Sequence, residues 1–167
     1  PDYSRARRAF EATMEADPEA LLLPRVGVSA PGWWEKKHPK HCLTFDDGKK
    51  KGECPASKLW RRQCEKYLRQ FIRYCERNYG DRIIGYHPAG QHTGEWFFYR
   101  SWEPRLSGFS PAMNRGFRRW LKKKYGSDAG LQKAWRGDDV TLQGAQVPSA
   151  EKRMSANQGL FRNPRKE

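Results

Sequence analysis

The sequence predicts an α/β fold in which parallel strands alternate with helices, and three observations carry that expectation. Two short apolar runs, at residues 21–29 and 83–86, lack the polar alternation of a half-exposed strand and suit strands covered on both faces. A long amphipathic helix lies between them, which is the connection that a parallel pair needs. The resulting βαβ unit is expected to be right-handed. Only two strands are legible, and two strands leave both sheet edges open. The chain therefore reads as one domain cut from a larger repeating β/α architecture rather than a free-standing fold.

Taken in order, residues 4–16 place Ala6, Ala9, Phe10, Thr13 and Met14 on one helical side, with Ser4 as cap and Asp17-Pro18 as stop. The run at 21–29 follows, and Pro24 argues against a central strand there. Residues 30–57 form a long connection rich in Gly and Pro, with an Asp46-Asp47-Gly48 turn signal and no predicted regular structure. Its Trp33-Trp34 pair is either a ligand feature or one packed and one exposed indole. The next helix is capped by Ser57 and ended by Gly80, with Trp60, Cys64, Tyr67, Leu68, Phe71, Ile72 and Cys75 at helical spacing. After the second strand, Ser110-Pro111 opens a helix ending near Gly126, and Ser127 caps a short one through Leu131 and Trp135. Residues 137–167 show little periodicity and read as an irregular covering segment.

The 167 residues suffice for one domain with a core. Lys and Arg number 33 against 19 Asp and Glu, a formal net charge of +14 that invites an anionic partner. The cations are spread over helix faces, apart from runs at 49–51 and 122–124, so solvated surfaces explain most of them. Cys42, Cys54, Cys64 and Cys75 form no CxxC pair, and His38, His41, Cys42 and Cys54 match no familiar metal spacing; no metal site and no disulfide framework are expected. No apolar run approaches the roughly 20 residues that span a bilayer. The first residues, Pro1-Asp2-Tyr3, lead straight into a helix without an initiator methionine, so the natural N-terminus is expected to lie upstream.

The stretch from 81 to 102 concentrates the chemistry. Past its apolar start it gathers His87, His92, Gln91 and one carboxylate, Glu95, among Trp96, Phe97, Phe98, Tyr99 and Trp102. In a parallel sheet this segment leaves the C-terminal end of a strand, where α/β folds bind ligands. Aromatic neighbours are expected to desolvate Glu95 and raise its pKa, which suits a general acid. The faces of Trp33, Trp34, Trp96 and Trp102 suit stacking on sugar rings, and the two histidines suit hydroxyl groups. No phosphate loop or dinucleotide fingerprint occurs. Glu95 can instead be a structural carboxylate paired with Arg25, Arg100 or Arg105.

Four segments carry a resemblance in matching order: RVGVSAPGWWEKKHP, RIIGYHPAGQHTGEWFF, FSPAMNRGFRRWLKKKYGSDAGLQKAW and VTLQGAQVPSAEKR. Together they resemble the catalytic barrel of β-galactosidase-like glycoside hydrolases, family 42 and its relatives. The resemblance implies a partial (β/α)8 TIM barrel of about two parallel strands, with 21–29 as third strand and 82–90 as fourth. It implies Glu95 as acid/base of a retaining mechanism, a sugar site lined by Trp33, Trp34, His87, His92, Trp96 and Arg25, and no cofactor. Two departures stand out. Family members usually carry Asn-Glu at the fourth strand end, where this chain has Gly90-Gln91. The nucleophile of the seventh strand is not in this chain, so the chain alone is expected to be inactive. The expected partners are a carbohydrate and the rest of a parent chain; association into homo-oligomers stays open. Gln91 favours a second reading, a barrel relative that binds carbohydrate without catalysis. A basic nucleic-acid-binding module comes third, because most aromatics lie on apolar helical stripes rather than beside the cations.

Overall fold

A computed structural model describes residues 2–100 and 105–155. Helix α1 (Ser4–Ala16) packs Phe10 against helix α3 (Lys58–Tyr79), where Phe10 meets the Tyr79 ring edge-on at 5.2 Å. Ser4 is the first helical residue rather than the cap. Its N–H is satisfied by Asp2 Oδ1 at 2.9 Å.

Strand β1 (Arg25–Gly27) pairs in parallel with β4 (His87–Ala89), in the register Arg25 to His87, Val26 to Pro88 and Gly27 to Ala89. Both strands are shorter than expected. Pro24 has no N–H for the ladder but its carbonyl accepts from His87 at 2.9 Å, so β1 starts one residue later. An isolated parallel bridge joins Leu22 to Ile83 upstream, while Ile84, 63% exposed, lies outside the buried strand expected of it. Successive strand side chains alternate between faces. Val28 accordingly joins Trp34, Trp60 and Cys42 under the helices, while Arg25 and Gly27 face the other way with their partners His87 and Ala89.

The connection at 30–57 holds most of the structure that periodicity missed. It contains helix α2 (Gly32–Lys37), a 3-10 turn (Pro39–His41) and an antiparallel hairpin of β2 (Cys42–Thr44) and β3 (Lys50–Glu53). Gly48 closes the hairpin turn at φ +79°, a conformation that suits glycine. Residues 105–109 then dock along β2: Thr44 O accepts from Gly108 and Phe109, and Asp46 donates to Leu106 O at 2.9 Å.

Helix α3 is capped as expected, Ser57 Oγ accepting from Trp60 N, and its cations Arg61, Arg62, Lys66, Arg69, Arg73 and Arg77 are exposed. Gly80 ends it without leaving the right-handed helical region. Helices α4 (Pro111–Tyr125) and α5 (Asp128–Trp135) are capped by Ser110 and Ser127. Residues 140–147 cover them with Val140, Leu142 and Ala145 around buried Leu121 and Leu131. A last helix, α6 (Ala150–Ser155), forms where irregular backbone was expected. Its Arg153 lies 4.3 Å over the Phe109 ring and donates to Ser107 O, tying the tail to the hairpin edge. Among the described residues no helix is long and apolar enough to cross a membrane.

Candidate active site

Three segments converge just beyond the C-terminal ends of β1 and β4: residues 29–34 after β1, the end of β3, and the loop at 90–100 after β4. At their centre lies Glu53, the last residue of β3, with 0% of its surface exposed. Its Oε2 accepts from Ala30 N at 2.9 Å and its Oε1 from Gln91 Nε2 at 2.7 Å. Gln91 Nε2 also donates to the Glu53 carbonyl at 3.2 Å, and Gln91 N donates to Ser29 Oγ at 2.9 Å. Burial pushes the Glu53 carboxyl above the usual glutamate range; the hydrogen bonds from Ala30 and Gln91 pull the other way without cancelling it.

The loop that starts at Gly90 is contorted. Gln91, Thr93, Trp96 and Arg100 all have φ between +57° and +65°, and Gly94 has +74°. For a β-branched residue such as Thr93 this region is costly, and strain of this kind concentrates at functional sites. Arg25 holds the turn from below, Nη2 donating to Thr93 O at 3.1 Å and Gly94 O at 3.2 Å. Gly94 lies against Ala89, where a β-carbon would stand 3.0 Å from Arg25 Nη2. Trp96 folds back so that its Nε1 donates to Pro88 O at 3.1 Å and its ring edge lies over Gly90. Tyr99 closes the loop: its ring covers Gly52 and meets His92 edge-on at 5.9 Å. Burial pushes the Tyr99 phenol up, while a hydrogen bond with Ser29 pulls it down.

The expected site residues separate into two groups. Glu95, Trp96 and His92 come together on this loop, and Arg25 reaches it from β1. The burial expected for Glu95 does not occur: Phe97 and Phe98 are exposed with it, while Trp96 and Tyr99 fold back onto Gly90 and Gly52. Glu95 is exposed and its Oε2 accepts from the Thr93 hydroxyl at 2.7 Å. The structural alternative of a pairing with Arg25 or Arg105 is not seen either. Arg25 bonds loop carbonyls, and Arg105 pairs with Asp47 at 2.9 Å. His87 is exposed on β4, beside Arg25 on the same sheet face. Trp33 and Trp34 diverge: Trp34 is 4% exposed and donates from Nε1 to Gln63 Oε1, whereas Trp33 is 63% exposed. Trp102 lies outside the described residues. Cys42, Cys54 and Cys75 are buried free thiols, Cys64 is half-buried, and His41 Nδ1 shares a hydrogen bond with Ser57 Oγ. Among the described residues no group of three or more His, Cys, Asp or Glu side chains is placed to hold a metal ion.

A family model described as β-galactosidase, that of glycoside hydrolase family 42, matches residues 2–138. The chain belongs to this family. Its fold is similar to the crystal structure of a β-galactosidase from Bacillus circulans sp. alkalophilus, with a TM-score of 0.64 and 19% identity over 90% of this chain and 22% of that one. It is also similar to the β-galactosidase from the psychrophilic Marinomonas ef1, with a TM-score of 0.56 and 22% identity over 77% of this chain and 20% of the other. The chain thus spans about a fifth of the length of these two structures. No curated protein matches it.

Within a family-42 domain, Glu53 is the residue that sequence reasoning passed over. It follows three lysines and reads locally as part of a solvated charge run. The Asp47-Gly48 step was the available signal, since Asp-Gly between short runs marks a hairpin.

Proposed function

We propose that this segment supplies the third and fourth strands of a family-42 (β/α)8 barrel, with β1 and β4 in those places and residues 1–167 as part of one catalytic domain. Glu95 is then the general acid/base of a retaining hydrolysis of a terminal β-linked galactoside or similar sugar. The observation that carries this reading is the loop at 90–100: it leaves the C-terminal end of a parallel strand, is held by Arg25 from the neighbouring strand, and presents Glu95 beside Trp96 in an accessible position.

In this mechanism Glu95 protonates the leaving glycosidic oxygen and then activates the water that releases the sugar. The nucleophilic carboxylate comes from outside this chain and stands about 5 to 5.5 Å away. Trp96, 48% exposed, and Trp33 offer ring faces to the sugar, with His87 and His92 as hydrogen-bond partners for its hydroxyls. Trp34 supports the site from beneath. Bound sugar and neighbouring β/α units exclude water from around Glu95 during the reaction.

The test is Glu95→Gln in the full-length protein. Turnover of alkyl β-galactosides, whose leaving group needs a proton, is expected to fall by about 10²- to 10⁴-fold. Aryl galactosides with acidic leaving groups should lose far less in the glycosylation step, and added azide should restore turnover by attacking the glycosyl intermediate. Unchanged turnover of alkyl galactosides would remove Glu95 from the mechanism. Galactoside binding without turnover in both wild type and variant would favour the non-catalytic carbohydrate-binding reading, which the amide of Gln91 at the strand end supports.

A further inference from the structure

We propose that Glu53 is a positioning residue whose carboxylate locks the Gln91 amide in one orientation, keeping the Gln91 side-chain oxygen as a spare acceptor for a sugar hydroxyl. The ligand in this proposal rests on the reading of the site given above; the positioning does not.

The argument is one of donors and acceptors. An ionised carboxylate only accepts, whereas a primary amide has a donating and an accepting end. Glu53 therefore faces the nitrogen of Gln91, which donates to Oε1 at 2.7 Å and to the Glu53 carbonyl at 3.2 Å. The other groups around the pair are matched: Ala30 N–H to Glu53 Oε2, and Gln91 N–H to Ser29 Oγ. Gln91 Oε1 has no hydrogen-bond partner although the residue is only 5% exposed. An unmatched buried acceptor is costly, and a donor can recover that cost. A hydroxyl fits that role. Phosphate and carboxylate ligands do not, since both are acceptors and both would meet the negative charge of Glu53. The same carboxylate thus sets the amide and selects against anionic ligands. The titratable groups facing Glu53 are Glu35 from α2, Cys42 from β2, Cys64 from α3 and Tyr99 from the loop after β4.

The experiment follows the Gln91 side-chain amide in the ¹⁵N-labelled full-length protein by NMR while pH is varied, in wild type and in Glu53→Gln. Its proton and nitrogen shifts should move in one acid-range step in wild type and lose that step in the variant. A Gln91 amide indifferent to both pH and the substitution would overturn the positioning role, and the wild-type titration alone decides this should the variant not fold. The second arm titrates methyl β-galactoside. Affinity should fall about tenfold or more in Glu53→Gln, because an amide at 53 lets Gln91 turn over. Wild-type binding that the variant leaves unchanged refutes the lock, and an ordered water on Gln91 Oε1 that galactoside leaves in place refutes the sugar contact. A titrating Gln91 in a full-length protein that binds no galactoside would sink the sugar reading while leaving the positioning intact.

Discussion

The ring of Tyr99 lies directly on the backbone of Gly52, so close that a β-carbon there would fall inside the ring's own atoms. Gly52 also has φ +66°, outside the usual range of side-chain-bearing residues. Gly52→Ala should therefore cost roughly 3 kcal/mol or more, combining overpacking with backbone strain. Urea unfolding gives the figure, and loss of the His92–Tyr99 contact in NMR spectra shows that the loop has been displaced. A cost below about 1 kcal/mol would mean that Tyr99 moves aside freely.

The two adjacent tryptophans should answer a mutation very differently. Trp34→Ala removes a buried indole and its bond to Gln63, and should destabilise the chain by about 3–5 kcal/mol. Trp33→Ala removes an exposed ring, should shift stability by no more than about 0.5 kcal/mol, and should weaken galactoside binding instead. Equal losses of stability from the two substitutions would contradict the placement of both.

Glu53 should leave a mark on stability against pH. Its folded pKa lies above its unfolded one, so between the two values the folded state holds more protons. Stability then falls as pH rises from the ordinary glutamate range through the raised folded value. Glu53→Gln removes this loss, so the variant should gain on wild type across that window and keep a constant difference above it. Asp47 acts with the opposite sign: its carboxyl is held low, first by the Lys49 N–H and also by Arg105, and what it contributes is lost on acidification. Subtracting the two pH profiles cancels Asp47 and isolates Glu53. A flat difference profile would show that Glu53 does not titrate differently on folding.

Long periodic elements were legible because their signal is local. Helix α3 repeats its apolar positions over 22 residues between a serine cap and Gly80, and no tertiary contact is needed to see it. The hairpin was not, because β2 and β3 span 3 and 4 residues and β3 begins with two lysines. The site failed in both directions for one reason: burial belongs to the folded chain and not to the sequence neighbourhood. Glu53 sits among lysines in sequence yet is enclosed by Ala30 and Gln91, 23 and 38 residues away. Glu95 sits among aromatics in sequence yet is exposed, because left-handed residues on either side leave Phe97 and Phe98 exposed with it and turn Trp96 back onto Gly90. Family membership was readable from four ordered segments, none of which includes Glu53.

The β2–β3 hairpin stands outside the alternation of strand and helix that defines the rest of the molecule. It is closed by its own ladder and by residues 105–109, so it behaves as a graft between the first strand and the long helix. A graft can drift in sequence at its exposed residues Lys49 and Lys50 while the frame that carries it stays still. That freedom ends at Glu53, where the graft touches the loop after β4. Divergence within this branch of the family can therefore proceed readily at one end of the segment 42–53, and at the other end only in step with residue 91.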